Sequence, residues 1–286
     1  MLQGRLGLET AGISHSDRHG LLWLSRGNLY VEDGTLRFIA SANSELKPGN
    51  YAIPFQRVSM ILIGPGTTIT HDVFRLLARH GTSLVAVGDD GVRLYTAPPI
   101  GPNDSALARR HVLLWTNPDT RMEIVRKMYA IRFGQQPPSG TIEELRGLEG
   151  VRMREMYNLL ARKYGIQWHG RHYDRAHPDS NDDPNQAINH AATAVEAAAT
   201  VAVVATGAIP SLGFIHEDPA NSFSLDIADL FRDEITLPIA FEGLRLCRDN
   251  GIIDLERQVR KLAGIRFKQK KIIPRMIDII KKLLSP

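Results

Sequence analysis

Apolar residues recur at two different spacings along the chain, and the change between them falls near residue 100. Before it the apolar runs have the length of strands: Leu21–Leu24, Leu29–Val31, Leu36–Ile39, Val58–Ile63, Ser83–Val87 and Val92–Tyr95. Asp33-Gly34 stands between two of them and Gly88-Asp89-Asp90-Gly91 between two others, which predicts two hairpins. One helix interrupts the strands: Thr70 can cap it, Val73, Phe74, Leu76 and Leu77 share a face, and Gly81 stops it. Pro98-Pro99-Ile100-Gly101-Pro102 ends this region, because proline fixes φ and removes a backbone donor.

Beyond that break the spacing is helical. Asn103-Asp104-Ser105 offers caps for one long helix toward Phe133, closed by Gly134 and Pro137-Pro138. Thr141 and Glu144 form a capping box for a helix that runs to Tyr164, with Gly147 and Gly150 as points of bending. Residues 169–184 are polar and loop-like, and residues 184–207 form an alanine-rich helix. Asn189, His190 and Glu196 interrupt its apolar run, so it reads as a buried central helix rather than a membrane span. Asp226–Phe231 and Leu237–Arg248 are further helices. The prediction is an α+β chain: a β-rich, sandwich-like domain with one helix in residues 1–100, then a larger all-α domain in residues 101–286.

Composition narrows the class. With 43% hydrophobic and 23% charged residues the 286-residue chain is an ordinary globular protein, which excludes disordered, collagen-like and disulfide-stapled classes. A single cysteine, Cys247, cannot form an internal disulfide or a cysteine zinc cage, and a reducing, cytoplasmic setting is expected. Met1–Gly20 lacks the apolar core of a signal peptide.

The charge is +4 in total, but residues 257–286 carry ten basic side chains against one acid, Asp278. The other 256 residues hold 25 basic and 30 acidic side chains. Ile272, Ile273, Met276, Ile279, Ile280, Leu283 and Leu284 recur at helical spacing through this basic end. An amphipathic basic helix can meet DNA phosphates, anionic lipid or a partner protein. It can equally be a packed terminal helix with a solvated basic face. The segment is expected to be mobile in the isolated chain and ordered in a complex.

Candidate chemistry centres on Gly213-Phe214-Ile215-His216 and Asp226-Ile227-Ala228-Asp229. Asp226 and Asp229, three apart, share a helix face among apolar neighbours, and a buried carboxylate needs a cation, a metal or a raised pKa. His216 lies ten residues earlier, within reach of a returning loop. The alternative is structural: Asp226 as a cap and Asp229 paired with an arginine. Glu149 sits between Leu148 and Gly150; paired with Arg146, Arg152 or Arg154 it would be an ordinary solvated glutamate. Oxygen ligands with an imidazole suit Mg²⁺ or Mn²⁺, and such a site beside a basic surface suggests phosphodiester chemistry. No GxxxxGK[ST], GxSxG or HExxH motif points elsewhere. His71, His80, His111 and His190 read as structural.

Taken in order, Gly64-Pro65-Gly66-Thr67 with His71, Gly91–Tyr95, Leu145–Gly150, Gly165-Ile166-Gln167-Trp168 with Arg171 and Tyr173, Asn185-Gln186, Gly213–His216 and Asp226–Asp229 resemble the CRISPR-associated spacer-acquisition integrase family, in its Cascade-type (subtype I-E) subgroup. The resemblance spans roughly residues 16–250. It implies a metal site of Glu149, His216 and Asp229, with Asp226 also required for catalysis, and a homodimer formed by the β-domains. It further implies a dimer of a small ferredoxin-like CRISPR partner protein bridging two such dimers, and double-stranded DNA as substrate. Arg75 and Arg93 match DNA-contacting basic positions, Arg232 a lysine near the metal, and Tyr173 a tyrosine near the DNA branch. Departures are Arg26 where a family tyrosine stacks on the duplex end, Thr68 for a basic residue, Glu196 for a tyrosine, and no tryptophan near His177 and Pro178.

Three functions follow as expectations. The first is an endonuclease and integrase that joins 3′-OH ends of spacer DNA to the CRISPR repeat. The others are a non-catalytic DNA-binding scaffold subunit and a junction-processing repair nuclease.

Overall fold

The structure is a computed structural model that describes residues 21–44, 46–58, 60–88, 94–96, 105–138, 140–172 and 182–285. It separates into two compact units, Met1–Ile100 and Gly101–Pro286. Pro98–Pro102, Arg93, Tyr173, His177 and Pro178 lie outside the described residues.

Among the described residues the first unit contains two four-stranded sheets. One orders β1 (Leu21–Leu24), β5 (Met60–Ile63), β7 (Ser83–Val87) and β8 (Leu94–Thr96); the other orders β4 (Gly49–Ala52), β3 (Thr35–Ala40), β2 (Gly27–Glu32) and β6 (Thr67–Ile69). Both expected hairpins form, β2–β3 and β7–β8, each antiparallel. Asp33 and Gly34 close the first with positive φ at both positions, +48° and +72°, the backbone that a primed two-residue turn requires. Pairs β1–β5, β5–β7 and β2–β6 are parallel, a long-range choice that hairpin signals do not encode. Helix α1 (His71–His80) presents Val73 and Leu77 to a core shared with Leu24, Leu29, Leu36, Phe38, Ile61 and Ile63 of both sheets. Phe74, expected on the same face, is exposed.

The second unit is helical. The single helix expected toward Phe133 is two, α2 (Ala106–Thr116) and α3 (Pro118–Phe133). Asn117 accepts hydrogen bonds from the N–H groups of Asp119 and Thr120, and Pro118 takes the first helical position, so the chain restarts rather than continues. Helix α4 (Ile142–Tyr164) has the full capping box of Thr141 and Glu144 and runs unbroken through Gly147 and Gly150. Helix α5 (Asp183–Thr206) is long and apolar enough for a membrane span, but Ile188, Ala191, Val195, Ala199 and Val203 are core residues. Helix α6 (Ser222–Asp229), a π-turn at Arg232–Thr236, α7 (Leu237–Asn250), α8 (Leu255–Gln269) and α9 (Ile272–Leu284) follow among the described residues.

The basic end is no loose tail. Ile272, Met276, Ile280, Leu283 and Leu284 are buried against the helical core. Burying a side chain of this size is worth about 1.5–3 kcal/mol, and five along one stripe hold the helix down. Lys270 and Arg275 also reach Glu234 of the π-turn at 3.1 and 2.7 Å. Arg275 is the chief cause that holds the Glu234 carboxyl down at about 2.

Candidate metal centre

Loop residues 209–216 bring His216 to the site, and their path is fixed by side chains from several elements. His111 of α2 is fully buried; its Nε2 meets the Leu212 carbonyl at 2.8 Å and its Nδ1 accepts from the Ile209 N–H at 3.2 Å. Burial outweighs these bonds and lowers its pKa to about 4, so the ring stays neutral in the tautomer they demand. Trp115 donates to the Gly213 carbonyl at 2.9 Å. Gly213 is obligatory: a Cβ there would stand 2.2 Å from the His216 carbonyl oxygen and 2.8 Å from Ser222.

Asp226 closes the loop. Its Oδ2 accepts from the N–H groups of Phe214 (2.6 Å) and Ile215 (3.0 Å), and its Oδ1 from that of His216 (3.0 Å). Oδ1 also pairs with His216 Nδ1 at 2.7 Å. Asp226 is therefore neither a cap of its own helix nor a free metal ligand. It is a buried acceptor that fixes the ring by one nitrogen and leaves Nε2 facing the site, as carboxylates behind metal-bound histidines do. This hydrogen bond raises the His216 pKa.

Asp229, one turn on, has its Oδ2 4.0 Å from His216 Nε2. Its Oδ1 takes Arg232 at 3.3 Å, and Arg232 also donates to the Tyr157 hydroxyl at 3.0 Å. Glu149, half-buried on α4, does not pair with Arg146, Arg152 or Arg154 as its surface alternative would require. It is bound to Arg132 of α3, whose other terminal nitrogen lies 3.7 Å from Asp229 Oδ2. Arg146 instead donates to the Ile215 carbonyl. Burial raises the Glu149 pKa, and the Arg132 charge opposes that rise.

Glu149, His216 and Asp229 thus line one site, with Arg132 standing between the two carboxylates. Among the described residues no three His, Cys, Asp or Glu side chains converge at metal-ligand spacing. The donor set nonetheless fits a hard divalent cation: two carboxylates and an imidazole nitrogen oriented from behind. Arg232 Nε is buried in the same wall without a hydrogen-bond partner, a polar group of the kind that the water shell of an ion satisfies, and the buried Tyr129 hydroxyl lies beside Glu149.

Other sequence candidates lie apart. Arg75 is exposed on α1 and pairs with Asp72 at 3.0 Å. Arg26 has a left-handed φ of +55° and lines a cavity of about 270 Å³ with Asn28, Ser41 and Asn43. Glu196 accepts from Asn221, the residue before α6. Arg132 and Tyr129 are not legible in the sequence as site residues, because only the packing of α3 against α4 and α6 aims them at the carboxylates.

Comparison with known proteins decides the family. The family "CRISPR associated protein Cas1" matches residues 133–244. A Geobacter sulfurreducens protein named CRISPR-associated endonuclease Cas1 is 36% identical over 94% of this chain and 85% of its own length. An Escherichia coli K12 protein of the same name is 35% identical over 94% and 86%. The chain belongs to the Cas1 family. The crystal structure of a TtCas1–DNA complex superposes with a TM-score of 0.60 at 30% identity, covering 94% of this chain and 97% of the other. This Cas1 chain shares that α+β architecture. The family expected from the residue pattern is the one the comparisons show, and the matched segment contains Glu149, His216, Asp226 and Asp229.

Proposed function

We propose that this Cas1 chain is a divalent-metal-dependent DNA endonuclease and integrase of CRISPR immunity. In its joining reaction the 3′-oxygen of a spacer-precursor end forms a new P–O bond at the repeat border. The bond from that phosphorus to the leaving 3′-oxygen breaks, and the attacking hydroxyl gives its proton to solvent base. One phosphodiester replaces another, so no energy-supplying cofactor is required. With water as nucleophile the same site cuts DNA.

Glu149, His216 and Asp229 would hold Mg²⁺ or Mn²⁺, which when bound lowers the pKa of the attacking hydroxyl and neutralises charge at phosphorus. The observation that carries this reading is the His216 ring: Asp226 locks Nδ1, and Nε2 faces Asp229 at 4.0 Å. Asp226 acts by holding the loop and the ring. Arg232 orients Asp229 and adds positive charge beside it.

Membership of a family whose relatives are named endonucleases, and a DNA complex of a 30%-identical relative, support a DNA substrate. Homodimerisation through the β-unit, a small ferredoxin-like CRISPR partner, DNA contacts by Arg75, Arg93 and Tyr173, and a cytoplasmic setting belong to the same proposal.

The test is joining of 3′-OH duplex ends into a repeat-bearing plasmid with Mn²⁺ and the partner protein. His216→Ala and Asp229→Ala should each lower joining by a factor of about 10² or more. Joining that survives both changes would falsify the site. DNA binding without metal-dependent strand chemistry in the wild type would leave the scaffold reading. Full activity without the partner would favour a repair nuclease.

A further inference from the structure

Arg132 is an unusual neighbour for a metal site. Its side chain is 6% exposed, it comes from a third helix, and it touches both carboxylates that would receive the ion. A guanidinium cannot be neutralised by losing a proton in a protein, so it persists there as a fixed positive charge. Two largely buried carboxylates facing each other without a cation would repel and be costly to desolvate. Arg232 offsets part of that cost at Asp229, and Arg132 is the cation that reaches both carboxylates.

Resting on the metal reading above, we propose that Arg132 is the resident counter-cation of this site. It holds Glu149 and Asp229 in place when no divalent ion is bound, and it gives up at least one of them to the ion. Two neighbouring groups are placed to receive what the exchange releases. The Tyr129 hydroxyl is buried beside Glu149, so Glu149 keeps a second hydrogen-bonding group once Arg132 releases it. Asp233, one turn beyond Asp229, is within the electrostatic reach of Arg132 and already pairs with Arg152 at 3.4 Å. It is the carboxylate to which Arg132 turns. The exchange keeps the site near neutral in both states and makes divalent binding a competition between two cations.

The test measures Mn²⁺ binding rather than turnover, by loss of the free-ion electron paramagnetic resonance signal in purified full-length protein. The metal-free melting temperature is recorded beside it. Arg132→Gln should lower that temperature yet tighten Mn²⁺ binding by about tenfold or more, since the competing charge is gone. Its Mn²⁺-induced rise in melting temperature should exceed that of the wild type. Arg132→Lys, which keeps the charge, should stay within about threefold of the wild type.

A folded Arg132→Gln protein that binds Mn²⁺ no tighter than the wild type overturns the proposal. In that case loss of binding in Asp229→Ala leaves the metal reading standing. Absence of Mn²⁺ binding in wild type and Arg132→Gln alike overturns both. Should Arg132→Gln fail to fold, Asp233→Asn decides: it removes the alternative seat and should weaken Mn²⁺ binding several-fold, whereas unchanged affinity counts against the exchange.

Discussion

His111 and Asp226 do comparable work on one loop, residues 209–216. Both are buried, both are saturated with hydrogen bonds to its backbone, and neither needs to touch a substrate to matter. The histidine makes stability pH-dependent with a defined sign. Its folded pKa is about 4, below the ordinary 6.5, so between those values the unfolded chain binds a proton that the folded chain refuses. Stability from this group is complete above pH 6.5 and is lost as pH falls toward 4. The loss is of the order of 3 kcal/mol, since each tenfold difference in proton affinity corresponds to about 1.4 kcal/mol. Urea unfolding from pH 7 to pH 4 should show that decline, and His111→Gln should be less stable at pH 7 but flatter across the range. An equal slope in the variant would remove His111 as its source. The sequence reads His111 as structural, and it makes two bonds to the loop. The family resemblance implies that Asp226 is required for catalysis, and oxygens spent on three N–H groups and the His216 ring suit a positioning part in it.

At the scale of elements, turn and cap chemistry is the most legible layer. Asp33-Gly34, Thr141 with Glu144, Gly81 and the alanine-rich α5 are local signals whose physics is complete within a few residues. The join at Asn117-Pro118 carries signals of the same kind, an N-cap and an N1 proline, that the longer helical pattern conceals. The basic terminal helix misleads for a different reason. Charge suggests a mobile arm, while the stripe of Ile272, Met276, Ile280, Leu283 and Leu284 has the spacing of a core face and finds one. Met276→Ala should therefore cost about 2–5 kcal/mol by denaturant titration. A cost near zero would mean that α9 is only loosely held.

Across the whole molecule the basic end keeps its electrostatic meaning after packing. Arg260, Arg266, Lys270 and Arg275 are paired with Glu256, Glu242 and Glu234. Arg257, Lys261, Lys268, Lys271, Lys281 and Lys282 are exposed on the same two helices and the turn between them. If this face meets duplex DNA, log affinity should fall linearly with log salt, and replacing Lys281 and Lys282 together by alanine should reduce the slope by about two. An unchanged slope would move the DNA to another face.

By itself the sequence determined the class, the break in pattern near residue 100 and most element boundaries, because propensity, capping and burial pattern are local properties, while the acids and histidine of the proposed site came from the family resemblance. Only the tertiary structure decided which strands run parallel, that α9 closes on the core, that Asp226 serves the loop, and that Arg132 stands between Glu149 and Asp229. Each of those depends on distances between segments far apart in the chain, and such distances are fixed by how helices and strands pack rather than by any residue's own preference.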